Sequence, residues 1–158
     1  MREILTLPLS PDVDHCETFE RSFDFSKFPN LQEVGFGAGW VGGSLLWIHA
    51  ALSTLRPATS PRLSTIQLNF TCAPTSDRSV EAVIECVGND LRRIADEVTR
   101  IEHEFKGAVK VIVLQDPWFK PALDSLNVKS RFCGASRILA DSLSFTPCRS
   151  QCNVEIIQ

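Results

Sequence analysis

Gly37-Ala38-Gly39-Trp40-Val41-Gly42 has the order G-x-G-x-x-G and lies between a predicted strand and a predicted helix. In that setting glycines let backbone amides close on a pyrophosphate at a helix N-terminus. Dinucleotide binding would need one more group, an acid about 20 residues further on to hold the ribose hydroxyls. No Asp or Glu occurs between Glu33 and Asp77, and the next predicted strand ends Asn69-Phe70-Thr71. Asparagine offers an acceptor there, but no charge. The preferred reading is a tight turn joining strand to helix. The alternative is a Rossmann-like nucleotide-binding domain that uses Gly37, Gly39 and Gly42.

Other reactive side chains are scattered. Asp12-x-Asp14-His15-Cys16 falls in a predicted loop with no third ligand and no base partner beside it, so solvation is its expected role. The cysteines are Cys16, Cys72, Cys86, Cys133, Cys148 and Cys152; they contain no C-x-x-C, and the closest pair is Cys148-x-x-x-Cys152. His15, His49 and His103 lie far from that pair in sequence, whereas a zinc site draws its ligands from short loop spacings. Without a secretory signal the thiols are expected to stay reduced. Gly43-Ser44 belongs to no G-x-S-x-G, which leaves Ser44 to cap a helix. No catalytic, metal or cofactor residues are assigned, and the chain is not expected to be an enzyme.

Composition removes further classes. The chain has 158 residues, one domain's worth, enough to bury about two-thirds of its unfolded surface. Its 16 basic and 19 acidic residues give a net charge of −3, with no Lys/Arg run and no tyrosine. A nucleic-acid surface needs a basic stripe to release counterions, so DNA and RNA are not expected partners. Nothing approaches the roughly 18 apolar residues of a bilayer span. The apolar run within Met1 to Ser10, broken by Pro8, is too short for a signal peptide. A membrane is not an expected partner either, and the expected location is cytoplasmic or nuclear.

The elements come from a repeated frame. Leu63, Ile66 and Leu68 stand in the order L-x-x-L-x-L, as do Leu31, Val34 and Phe36, and Ile4, Leu7 and Leu9. A short strand and a helix recurring at intervals of 27 and then 32 residues mark a stacked β/α array. Strands are expected at 4–9, 31–36, 63–70 and 108–114, the last apolar on both faces and so central. Helices are expected at 44–56 and 78–106. In the second, Val80, Ile84, Val87, Leu91, Ile94, Val98, Ile101 and Phe105 recur at spacings of four and three. That stripe is also a heptad, but Asp90 and Glu97 find no complementary partners in it, and Gly88 weakens a free helix by about 1 kcal/mol. A sheet is therefore its expected partner.

A short helix should run from Asp116-Pro117 to about Leu126, and Val128–Cys133 should be a last strand. Residues 134–158 read as a Ser/Cys-rich, weakly structured tail beyond a single domain at 1–133. In the phase of the repeated frame the exposed strand positions are Thr6, Glu33, Gly35, Thr65, Gln67, Asn69 and Gln115. They are small and mostly uncharged, which suits contact with another protein more than with phosphate or metal. Glu33, Thr65, Gln67 and Asn69 are the expected partner-binding set.

Phe28-Pro29-Asn30-Leu31-Gln32-Glu33-Val34, Gly43-Ser44-Leu45-Leu46-Trp47-Ile48, the run from Ala51 to Leu63, Asn89-Asp90-Leu91-Arg92-Arg93-Ile94-Ala95 and Arg131-Phe132-Cys133-Gly134 carry a family likeness. Over roughly two-thirds of its length the chain resembles the leucine-rich-repeat-like C-terminal region of fungal F-box-type proteins. That resemblance implies a solenoid that receives a protein partner while a separate F-box docks onto the ubiquitin-ligase adaptor. Nothing near Met1 reads as an F-box, so adaptor docking is not carried over. The Asn or Cys of each repeat is replaced by Asp12, Gly39 and Thr71, so the array is irregular and no binding residue is transferred. The expected fold class is α/β. It is an irregular, open, leucine-rich-repeat-like array with parallel strands in sequential order and helices on the outer side. The expected function is non-catalytic protein–protein interaction, as a substrate-recognition fragment of an F-box-type protein.

Overall fold

A computed structural model of the chain describes residues 2–7, 24–40, 45–72, 80–115, 117, 119–133, 137–141 and 152–157. The elements are β1 (Arg2–Leu7), β2 (Glu33–Trp40), α1 (Leu46–Ser53), β3 (Thr65–Cys72), α2 (Val80–Glu104), β4 (Lys110–Gln115), α3 (Lys120–Ser125), β5 (Arg137–Asp141) and β6 (Cys152–Ile157). Two 3-10 turns, Phe25–Lys27 and Lys129–Phe132, accompany them. The six strands make one α/β sheet in the order β1-β6-β2-β3-β4-β5.

β2, β3, β4 and β5 are parallel neighbours in chain order. Right-handed crossovers between consecutive parallel strands put successive helices on one face of a sheet. The core agrees with that. The registered rows Val34–Ile66–Val111 and Phe36–Leu68–Val113 join the helix residues in one buried cluster. Val87, Leu91, Ile94, Val98 and Ile101 of α2 are fully buried there, so the heptad-like stripe is spent on the sheet. Phe70, at the far end of β3, stacks on Phe119 with centroids 5.4 Å apart and lies 6.2 Å from Phe132.

α2 also supplies the ends of α1. No side chain of α1's own cap residue bonds to its N-terminus, and Ser44 lies outside the described residues. Asp90, only 8% exposed, accepts the Leu45 amide at 2.8 Å. Ten residues along α2, Arg100 donates to the carbonyls of Leu52 at 3.0 Å and Leu55 at 3.2 Å. Glu97 at 2.6 Å and Glu104 at 2.7 Å hold the Arg100 guanidinium in place. An acid at the N-terminus and a base at the C-terminus are what the helix dipole favours. Because Asp90 precedes Arg100 as Leu45 precedes Leu55, α1 and α2 run in the same direction, as stacked β/α units require. Asp90 is thus a buried cap, not part of a solvated face.

α2 ends in a Schellman turn. The Gly107 amide donates to Glu102 O at 2.9 Å and the Lys106 amide to His103 O at 3.2 Å. Both residues take positive φ, 52° at Lys106 and 72° at Gly107. A side chain in that region costs about 1–2 kcal/mol. Lys106→Gly is therefore expected to stabilise the chain by about 1 kcal/mol, read as a melting temperature raised by roughly 2–4 °C. No rise would place the strain elsewhere.

Several expectations need correction. β1 is not beside β2: β6 runs antiparallel between them. Val154 and Ile156 register with Phe36 and Val34, a place for β6 that no local pattern announces. Beyond residue 133, β5 and β6 both belong to the sheet. Val128–Cys133 is no strand; Lys129–Phe132 is a 3-10 turn, and the last parallel strand is Arg137–Asp141. Arg137 fastens β5 to α2 through Glu102, with Nε 2.7 Å from the carboxylate, and to the Arg131 carbonyl. Leu31 and Leu63 are buried but sit in turns closed by Leu31 N–H to Phe28 O and Leu63 N–H to Ser60 O. The ladders therefore begin two residues later than the repeated frame does. Among the described residues, no helix is long and apolar enough to cross a membrane.

Candidate functional site

The strands alternate between two faces. Val34, Phe36, Ile66, Leu68, Phe70, Val111 and Val113 point at the helices and are buried. The positions between them form the opposite face, open in that no described helix packs on it. Its rows are Glu33–Thr65–Lys110, Gly35–Gln67–Ile112–Ile138 and Gly37–Asn69–Leu114–Ala140. All four expected partner-binding residues fall on this one face. Glu33 is paired directly with Thr65, and Gln67 and Asn69 follow along β3. Glu33 and Gln67 are exposed, while Thr65 and Asn69 are half-buried.

Gln115 does not join them. It pairs with Phe70 and is 3% exposed, on the helix face. β4 is apolar on both sides, so its own sequence does not set its phase. Pairing with β3 puts Val111 beside Ile66, and Gln115 follows the odd-numbered row into the core. Thr6 keeps its strand, in register with Asn153.

The glycine motif is also placed differently. Gly37 and Gly39 lie inside β2, in register with Asn69 and Thr71; Gly42 lies outside the described residues. Their amides belong to a sheet ladder and not to the turn that leads into α1. The governing spacing is two, not the one of G-x-G-x-x-G. Gly35, Gly37 and Gly39 alternate with Val34, Phe36 and Ala38, as a strand buried on one side demands.

The sequence missed the apolar half of the face. Ile112, Leu114 and Ala140 are half-buried and Ile138 is 45% exposed. The two-faced apolarity of β4 was the available signal for it. On the polar half, the carbonyl oxygen Oδ1 of Asn69 is buried and accepts no hydrogen bond from the described residues. A buried acceptor without a donor is costly and unusual.

Among the side chains described, the face offers amides, the carboxylate of Glu33, the ammonium of Lys110 and aliphatic surface. Among the described residues, no three His, Cys, Asp or Glu side chains gather as metal ligands do. His49 lies 3.7 Å from Glu97 beside the Arg100 network. Asp24, whose carboxyl is held below its ordinary range by hydrogen bonds from the Ser26 side chain and then the Ser26 amide, caps the turn Phe25–Lys27. A separate depression of 380 Å³ is lined by Asp124, Asn127, Lys129, Ser130 and Cys133. A 3.0 Å ion pair joins Lys129 to Asp124 beside it. No family model, curated protein or solved structure matches the chain.

Proposed function

We propose that this chain is a non-catalytic protein–protein interaction domain of leucine-rich-repeat-like type, the substrate-recognition part of an F-box-type protein. The open face receives the partner. One observation carries the reading: a sequential parallel sheet has its helices on one face and gathers Glu33, Thr65, Gln67 and Asn69 on the other. Parallel sheets usually have both faces covered. Here the rows on which no described helix packs combine amides with Ile112, Leu114 and Ile138, and an apolar centre beside polar groups is how protein interfaces are built. A cytoplasmic or nuclear location fits this role.

The test is affinity capture with cross-linking, run on the chain and on Glu33→Arg/Gln67→Arg, both at exposed positions. Two new charges on this face should reduce retention of any captured protein by roughly tenfold or more. The melting temperature should barely move, since such surface changes cost about 0.5 kcal/mol or less each. Retention that ignores the open-face charges would sink the proposal, as would a chain that retains no protein at all.

A further inference from the structure

We draw no further inference here: the strongest candidate, the aliphatic patch that Ile112, Leu114 and exposed Ile138 form where β4 and β5 meet on the open face, is an unpartnered surface, and nothing among the described residues shows what covers it.

Discussion

Phe70→Ala is expected to cost about 3–5 kcal/mol, the usual loss for a fully buried phenylalanine. Phe70 is 0% exposed and is the last core-facing residue of β3 with a described side chain. Its ring stacks on Phe119 at an interplanar angle of 11° and tilts against Phe132 at 53°. A domain of this size has about 5–15 kcal/mol in total, so the variant should unfold at a much lower urea midpoint. Phe70→Leu keeps most of the volume and should cost about 1–2 kcal/mol. The consequence reaches the open face. Phe132 closes the turn whose Arg131 carbonyl accepts from Arg137 of β5, and β5 carries Ile138. Hydrogen exchange in β5 should therefore quicken in Phe70→Ala before it does in β3. A loss under about 1 kcal/mol would mean that the segment from Phe119 to Phe132 is not packed on the sheet.

What could be read from the sequence follows how local each cause is. The stripe of α2 was legible because its spacing of three and four holds for most of 25 residues, and burial follows it from Val87 to Ile101. The sequential order of β2 to β4 followed from repeating units, since each short crossover leaves its strand next to the previous one. The phase of β2 and β3 was legible too, because polar and apolar residues alternate there. β4 shows no alternation, and Gln115 went to the wrong face for that reason. The same holds for the capping of α1: Asp90 and Leu45 are 45 residues apart, and nothing near Leu45 announces a cap from α2. β6 is the extreme case. Its place between β1 and β2 is decided by the chain's two ends meeting, which no window of sequence contains. The glycines were visible throughout, but a motif of known chemistry drew attention from their simpler period of two.

Asp90→Ala tests the scaffold separately from the site. α1 has eight residues, too few to hold a helix in water unaided, and its first described amide, that of Leu45, bonds to a carboxylate with 8% exposure. Alanine leaves that buried donor unpaired, at a cost of about 1–3 kcal/mol. Asparagine keeps an oxygen acceptor and loses only the charge facing the helix N-terminus, so Asp90→Asn should cost about 0.3–1 kcal/mol. Urea denaturation of both variants checks the order, and equal losses would mean that charge, not the hydrogen bond, is what Asp90 contributes. Trp47 and Ile48 of α1 pack in the cluster behind Val34, Phe36, Ile66 and Leu68, the alternating partners of the open-face residues. Loosening α1 should therefore lower stability and partner retention together. Glu33→Arg/Gln67→Arg should lower retention alone. If Asp90→Ala lowers stability and leaves retention intact, the partner does not use the strands that α1 supports, and the binding surface must be sought away from β2 and β3.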